Sequence, residues 1–301
     1  MIKNCIIMLG SDKMKIITKP CSFEEIKNTI DIVDAYIIGI KDMSVNENMY
    51  VTLEELREIS LYLEGNNKEL FVSVNKNMHN KDIDILKDIM VYLNNLNVKG
   101  VLYYDVAVLS LSKKLNINYD LVWACEHYTT NYDTINYWNS FGVNYVLISG
   151  EITLTEINEI SNNTKAKLIV PMFGYLPMYV SKRHGVKNYL EYFNLKDNSL
   201  VNYIGKEGNF YPIIDNNVGT MVYSCNILNG IKEVNLLSNV DYILLNGFDI
   251  DMKDFIRVIN MYRSVNSSNE KEYDNEICKM FSNVDTGFLH RETISKVKKN
   301  G

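Results

Sequence analysis

The densest group of chemically active side chains lies in residues 173–193, FGYLPMYVSKRHGVKNYLEYF. A serine, two cations and a histidine follow one another there, at Ser181, Lys182, Arg183 and His184. Charge-assisted hydrogen bonds from this group would bind a phosphate or a carboxylate. A solvated loop, or an arginine that tethers the segment, explains the same residues. A catalytic Ser181–His184 dyad is not supported, because no acid that would orient the histidine is identifiable.

Two carboxylates follow apolar runs that have the character of buried strands. Glu126 comes after DLVWAC (120–125), and Glu151 comes after NYVLIS (144–149). A carboxylate at such a strand end can position a substrate, act as a general base or bind a cation. The alternative for Glu126 is a polar cap or a lysine partner, and for Glu151 a favourable place before a helix. We predict both as catalytic candidates and expect His127 to lie at the surface or in packing contacts.

Polar residues near other strand ends are also candidates for ligand contacts. The amide of Asn131 can bind both donor and acceptor groups of a ligand, although capping of the following helix explains this residue equally well. Lys41, Asn75, Asn77 and Asp105 are candidates by position alone, and solvated rim residues are commoner at such places. The four histidines are isolated in the sequence and no HExxH motif occurs, so no metal site is predicted.

The elements that must position these residues are short apolar runs that alternate with segments of helical period. Each run is nearly continuous, as expected for strands that are covered on both faces of a parallel sheet. The runs are KIITK (15–19), DAYIIGI (34–40), ELFVSV (69–74), GVLYYD (100–105), DLVWAC (120–125), NYVLIS (144–149), KLIVPM (167–172) and DYILLNG (241–247). Eight strands alternating with helices predict a (β/α)8 barrel of the TIM type. An open doubly wound sheet is less favoured, because no glycine-rich loop follows the first strand.

A long insertion separates the seventh and eighth predicted strands. The interval of about seventy residues far exceeds one loop and one helix, and we assign the insertion to 173–230 within a barrel domain of 1–266. It starts at the carboxyl end of a strand, where barrel enzymes place their sites. Its first part looks too irregular for a strand. We expect Tyr189, Tyr192 and Phe193 to pack the insertion down rather than to stack on bases.

Composition and the terminal segments set wider limits. A net charge of −6 disfavours broad nucleic-acid binding, which requires many phosphates to be neutralised, although a local basic patch could still bind RNA. Five cysteines without CxxC spacing indicate no disulfide framework or zinc cluster, and a reducing cytoplasm fits them. No stretch approaches the roughly 20 apolar residues that span a bilayer. The residues 267–301, which begin within the polar run NSSNEKEYDNE (266–276), are predicted to form a linker and a C-terminal tail packed on the barrel.

Several motifs together point to a known family. They are Gly174, Leu176, Ser181 and Arg183 in one frame, TTNYDTINYW (129–138), Glu151, NYLEYF (188–193) and DTGFLHRET (285–293). On these residues the chain resembles the U32 peptidase family, the so-called collagenase-like proteases, over nearly its whole length. It is most similar to the short members that lack a C-terminal extra domain. A barrel is also the fold that this resemblance implies.

The resemblance implies a cofactor in part of the family, and the sequence departs from it there. Members that hydroxylate tRNA or rRNA bases or ubiquinone precursors are expected to hold a [4Fe–4S] cluster on four cysteines, two in the signature and two in the insertion. The two signature positions are Pro177 and His184 here, and residues 172–224 contain no cysteine. Because such clusters are held by thiolates, we predict that this chain binds none. Gly150 stands where close relatives have an arginine.

Three functions remain open from the residues and the resemblance. The first is a part in hydroxylating tRNA uridine to 5-hydroxyuridine, as a subunit without a cluster beside a cluster-bearing paralogue. The second is a peptidase acting on collagen-like or other peptides, for which no catalytic triad, catalytic cysteine or zinc motif is readable. The third is a barrel without catalysis that serves as a binding or heterodimer partner. The expected substrates are therefore tRNA or a peptide, and no association with a membrane is expected.

Overall fold

Eight parallel strands close into a barrel in this computed structural model, which describes residues 14–197 and 199–291. The barrel strands are β1 (Lys15–Lys19), β2 (Ala35–Ile40), β4 (Glu69–Ser73), β5 (Gly100–Tyr103), β6 (Asp120–Trp123), β7 (Tyr145–Leu147), β8 (Lys167–Ser181) and β12 (Tyr242–Asn246), with the two-residue β3 (Tyr50–Val51) beside β2. Strand β12 pairs in parallel with both β8 and β1, which closes the ring. The predicted (β/α)8 barrel with a long insertion between its seventh and eighth strands is confirmed.

Helices cover the outside of the barrel and connect its strands. They are α1 (Phe23–Thr29), α2 (Leu53–Gly65), α3 (Ile83–Leu93), α4 (Val106–Leu115), α5 (Tyr132–Ser140), α6 (Leu154–Asn163) and α8 (Met252–Ser264), while α7 (Gly185–Tyr192) belongs to the insertion and α9 (Glu270–Met280) follows α8. Side-chain caps fix several starts; Thr52 and Glu55, for example, form a reciprocal capping box on α2. None of the helices in the described ranges is long and apolar enough to cross a membrane.

The barrel interior is a packed core rather than a pore. Side chains alternate in and out along each strand, and the inward set forms a separate buried cluster. Phe71, Tyr145 and Tyr242 fill its lower part, with edge-to-face contacts of 5.7 Å and 5.6 Å from Phe71 to the two tyrosine rings. A site can therefore form only above this plug, at the carboxyl ends of the strands.

The insertion folds as an antiparallel sheet, which we call the lid (residues 173–230). Strand β8 extends beyond the barrel to Ser181 and pairs with β11 (Gly219–Asn229). Strand β11 pairs in turn with β10 (Asn209–Asn216), and β10 pairs with β9 (Asn202–Lys206). The expectation that 173–193 is too irregular for a strand is therefore wrong for residues 173–181. Pro177 fits because it lies opposite Tyr223 at an interruption in the register, where a missing N–H costs no regular ladder bond.

The lid lies across the carboxyl end of the barrel and is attached to several of its loops. The contacts are Asn46 N to Met221 Sδ at 3.2 Å, Asn217 Nδ2 to Asp42 Oδ1 at 2.9 Å, Lys182 Nζ to Asn77 O at 3.0 Å, and Tyr203 OH to Asp249. These loops follow β2, β4 and β12, so the sheet reaches from β8 over the mouth to the opposite wall.

The aromatic residues of α7 point away from the protein, contrary to expectation. Tyr189, Tyr192 and Phe193 are 58%, 80% and 55% exposed. Their rings contact one another, at 4.8 Å between Tyr189 and Phe193 and 4.9 Å between Tyr192 and Phe193. Helix α7 is short and has no fully buried residue, so it contributes little to the packing of the lid.

The segment after α8 contains a helix and a short strand where a linker is predicted. Residues 270–276 of the predicted linker form the first part of α9, whose Ile277 is fully buried. The short β13 (Val284–Asp285) then pairs in parallel with β11, and the Leu289 carbonyl accepts a hydrogen bond from Leu154 N at 3.0 Å. The remainder of the predicted tail, 292–301, lies outside the described residues, as do 1–13 with Cys5.

Candidate functional site

A polar layer lies on top of the apolar barrel core. At or just beyond the end of five strands, a polar residue comes two positions after an inward-facing apolar one. Lys19 follows Ile17, Ser73 follows Phe71, Glu126 follows Ala124, Ser149 follows Leu147, and Asn246 follows Leu244. Because side chains two apart share a face of a strand, these residues point towards the barrel axis beneath the lid. Glu126 is a candidate from the sequence, whereas Lys19 is not.

A buried ion pair forms the centre of this layer. Lys19 and Glu47 are 3.2 Å apart, with side-chain exposures of 4% and 1%. Lys19 Nζ also donates to the Asn46 carbonyl oxygen at 2.7 Å. Glu47 comes from the loop after β2 and enters the barrel over Gly39, where a Cβ atom would lie 3.0 Å from its Cβ and Cγ. Burial raises the pKa of the Glu47 carboxyl, and the Lys19 ammonium opposes that rise.

Glu126 is the group best suited to proton transfer. Its side chain is partly buried. Burial raises its pKa to about 7; the nearby Lys19 charge lowers this pKa and the Glu47 charge raises it. A carboxyl with a pKa near neutrality can both accept and donate a proton at physiological pH. The sequence prediction named Glu126, but it gave no reason for a shifted pKa, because Lys19 and Glu47 are remote in the chain.

The lid adds a tyrosine to the polar layer from above. Tyr223 of β11 is 1% exposed and stacks on Phe248 with ring centres 4.2 Å apart. Its hydroxyl has no hydrogen-bond partner among the described residues. Burial raises its pKa well above the usual value, and the charges of Glu47 and Glu126 add to this effect. A buried hydroxyl without a partner is costly, so it marks a place for a water molecule or a polar ligand group.

A small cavity of about 40 Å³ opens next to Glu126. Its lining includes Lys19, Glu126, His127, Gly150, Glu151, Tyr175, Leu176, Pro177 and Asn246. This volume holds a few water molecules or one small ligand group. Leu176 limits its size, because it lies against Gly150, where a Cβ atom would come within 2.8 Å of the leucine side chain. The structure thus brings Glu126 and Glu151 together around one cavity.

The other predicted site residues lie elsewhere. Asn131 caps α5, its Oδ1 accepting from Thr134 N at 2.8 Å. Ser181 Oγ accepts from Arg183 N at 3.2 Å at the far end of β8, and His184 is the N-cap residue just before α7. Lys182 reaches the loop after β4, where it contacts Asn77 and His79. Neither Asn131 nor any of the residues 181–184 lines the cavity beside Glu126.

The strand-end candidates mostly support the structure. Asn75 is buried, and its Oδ1 accepts from Val45 N at 2.8 Å. Asp105 caps α4 and also accepts from Met78 N at 2.8 Å. Lys41 and Asn77 have exposed side chains. Asn246 is buried, and its Oδ1 accepts from Asn48 Nδ2 at 2.8 Å, which ties the loop after β2 to the end of β12.

The residues present do not fit an iron–sulfur cluster. Pro177 occupies one signature position on β8, and His184 occupies the other at the start of α7. Cys225 is the one cysteine on the described lid strands, and it is free. Within 14–197 and 199–291, no group of three or more histidine, cysteine, aspartate or glutamate side chains is arranged to hold a metal ion. In the described part of the chain, no four thiolates that could hold such a cluster lie together.

Comparison with known proteins decides the family. The family described as "Peptidase family U32" matches residues 22–299. The chain belongs to peptidase family U32. The resemblance seen in the sequence is confirmed by this match. Among solved structures, the U32 peptidase Mk0906 superimposes with a TM-score of 0.51 at 10% identity, covering 77% of this chain and 92% of the other. That likeness supports the barrel fold alone.

Two U32 relatives from Bacillus subtilis (strain 168) are similar in sequence. The tRNA hydroxylation protein P2 is 27% identical over 298 residues, which cover 89% of this chain and 96% of P2. The tRNA hydroxylation protein P1 is 22% identical over 158 residues, which cover 52% of this chain and 37% of P1. The match to P2 thus extends over nearly the full length of both chains, barrel and lid included.

Proposed function

We propose that this chain takes part in the hydroxylation of tRNA uridine, forming 5-hydroxyuridine, as a subunit that holds no iron–sulfur cluster. The observation that carries the proposal is the match to tRNA hydroxylation protein P2 along 96% of that protein. The second relative, P1, supports the idea that two U32 chains serve one modification, and a cluster-bearing paralogue is the proposed partner.

The polar layer gives this subunit a chemical role. With water as the oxygen source, replacing the hydrogen on carbon 5 of uracil by a hydroxyl group releases two electrons and two protons. The redox centre of the partner would take the electrons, and Glu126, with a pKa of about 7, suits the transfer of a proton. Oxidation is assigned to the paralogue, because the lid of this chain lacks the thiolates that a cluster needs. The partly open cavity beside Glu126 gives a small ligand group access to this carboxyl.

Nucleoside analysis tests the proposal. The gene is deleted, tRNA is hydrolysed, and 5-hydroxyuridine and its derivatives are measured by mass spectrometry. Their loss, with restoration by the wild-type gene, supports the proposal, and an unchanged nucleoside profile contradicts it. Anaerobic purification with the paralogue, scored for iron and for a stable complex, tests the assignment of the redox centre to the partner. A purified chain that binds iron by itself would contradict that assignment.

A peptide-cleavage assay covers the alternative that the family name suggests. Purified protein is incubated with gelatin and with a mixed peptide library, and products are identified by mass spectrometry. Cleavage that disappears in the Glu126→Gln variant would replace the proposed function by a peptidase. No cleavage, together with the loss of 5-hydroxyuridine in the deletion strain, agrees with the proposal.

A further inference from the structure

The lid exposes far more apolar surface than the rest of the described chain. Eleven of the nineteen exposed large apolar side chains lie between residues 178 and 210. They are Met178, Tyr179, Val180, Tyr189, Tyr192, Phe193, Leu195, Leu200, Tyr203, Ile204 and Phe210. Six of the eleven are aromatic. Since an aromatic side chain has about 150–250 Å² of surface, six that are more than half exposed present on the order of 700 Å² in total. Successive strand residues such as Tyr203 and Ile204 lie on opposite faces of the sheet, so this apolar surface is divided between the two faces of the lid.

The same region ends in a free strand edge. Strand β9 pairs with β10 alone among the described strands. Its side chains are exposed from Tyr203 to Lys206. An exposed edge with apolar side chains is a template for pairing with another strand. The apolar surface and the unpaired edge are independent observations, and both indicate that another chain covers this end of the lid.

The turn between β9 and β10 determines which backbone groups the edge offers. Glu207 and Gly208 have φ values of 53° and 82°, which are typical of a two-residue type I′ turn. Such a turn closes the hairpin with a hydrogen-bonded pair, here Lys206 with Asn209. Because hydrogen-bonded pairs alternate along an antiparallel ladder, the N–H and C=O groups of Tyr203 and Gly205 point away from β10. They form the free edge.

This edge is complementary to itself. If two copies of β9 pair antiparallel about a two-fold axis at Ile204, Tyr203 lies opposite Gly205 of the partner subunit, and their outward groups exchange hydrogen bonds. The glycine leaves room for the tyrosine ring, an arrangement known to stabilise sheet edges. Lys206 then lies opposite Asn202 of the partner subunit, so no like charges face each other across the ladder.

The charges of the lid favour a protein over RNA as the occupant. The lid carries five cations and four acids, so its net charge is close to zero. RNA binding depends on an excess of cations that neutralise phosphates. An unpaired strand edge with apolar side chains and little net charge is suited instead to another protein strand.

We propose that the lid edge β9, with the apolar side chains around it, pairs with β9 of a second copy of this chain to form a symmetric dimer with a continuous sheet across both lids. This pairing does not depend on the proposed function. The mass of the purified full chain, measured by light scattering and sedimentation between about 1 and 100 µM, tests it, because a standard interface gives affinities in or below this range.

Two variants and one control make the test specific. Gly205→Pro removes an outward N–H at an edge position where proline is tolerated, and Ile204→Lys places a charge on the two-fold axis. The control Leu61→Lys changes an exposed apolar residue on α2, far from the lid in sequence. We expect a dimer for the wild type and for Leu61→Lys, and at least about a tenfold weaker dimer for both β9 variants. Far-UV circular dichroism and melting temperature confirm that each variant is folded.

Three results would overturn the inference. The first is a wild-type chain that stays monomeric at every concentration. The second is a dimer that both β9 variants leave unchanged. The third is that the β9 variants weaken binding of the family relative or of tRNA without any change in the mass of the chain. None of these results contradicts a role in tRNA hydroxylation.

Discussion

Glu126 gains its chemistry from burial and from two charges that are distant in the chain. Its pKa of about 7 in the folded protein compares with 4.5 for an ordinary glutamate. The folded state therefore binds an extra proton between these two values, and folding is favoured at the lower pH. Stability from this group is complete below about pH 4.5 and is lost as the pH rises through about 7.

The pH dependence of stability should change when Glu126 becomes glutamine. The wild type should lose on the order of 1–3 kcal/mol between about pH 5 and pH 8 relative to Glu126→Gln, because the glutamine has no proton to release. Urea unfolding at both pH values measures the difference. Glu54→Gln, at an exposed position of α2, is the control and should behave like the wild type. Equal pH profiles for all three proteins would contradict the raised pKa.

The Lys19–Glu47 pair should be sensitive to the removal of one partner. Lys19→Met leaves Glu47 buried without a counter-charge and should cost about 3–5 kcal/mol of unfolding free energy. Lys19→Met combined with Glu47→Gln should cost at least about 1 kcal/mol less than Lys19→Met alone, because the buried charge is gone.

A surface pair provides the control for this prediction. Lys15 and Glu69 are 3.0 Å apart, but the lysine side chain is 47% exposed. Lys15→Met should therefore cost less than about 1 kcal/mol. Denaturant unfolding of the wild type and these three variants gives the comparison. If Lys19→Met is no more costly than Lys15→Met, the ion pair does not have the buried character described above.

At the scale of elements, Gly174 connects the lid to the site. It lies where β8 leaves the barrel, with a φ of +110°, and a Cβ atom there would be 2.2 Å from the Asn246 carbonyl oxygen. Only glycine fits this crossing without moving β12. Gly174, one of the residues on which the family resemblance rests, thus has a physical role. It lets strand β8 pass directly over the end of β12, the eighth barrel strand.

Replacing Gly174 by alanine should displace the lid. We expect a loss of at least about 2 kcal/mol in unfolding free energy from the strained backbone and the clash. Hydrogen exchange in β8, β11 and β12 should accelerate locally. Gly65→Ala, in α2 where a Cβ atom meets nothing within 4 Å, is the control and should raise stability by up to about 1 kcal/mol. Equal effects of the two alanines would remove this account of Gly174.

At the scale of the whole molecule, the barrel could be predicted from the sequence and the lid could not. Each barrel strand is covered on both faces, so a run such as KIITK (15–19) is recognisable by itself. The extension of β8 through Pro177 is determined by pairing with β11, more than forty positions away. The exposed aromatics of α7 were misjudged because burial was assumed for residues that the lid leaves uncovered.

In the candidate site too, some residues can be predicted from the sequence and others cannot. Glu126 can be predicted from its position just after a strand. Lys19 is predictable as well, because it lies two residues after Ile17 and side chains two apart share a face of a strand. Glu47 could not be predicted from the sequence, because it is a loop residue that enters the barrel only where Gly39 leaves space for it. Tyr223 depends on how the lid folds over the mouth. The residues that give Glu126 its pKa are therefore those that only the tertiary structure reveals.

The measurement that tests the central claim most directly is complementation of the deletion strain with the Glu126→Gln variant. 5-Hydroxyuridine in tRNA is measured by mass spectrometry beside strains that carry the wild type and the exposed control Glu54→Gln, with matched protein levels. If the polar layer beneath the lid is the working site, Glu126→Gln should restore at most about a tenth of the wild-type level, while Glu54→Gln restores it fully. Full restoration by Glu126→Gln would contradict the account.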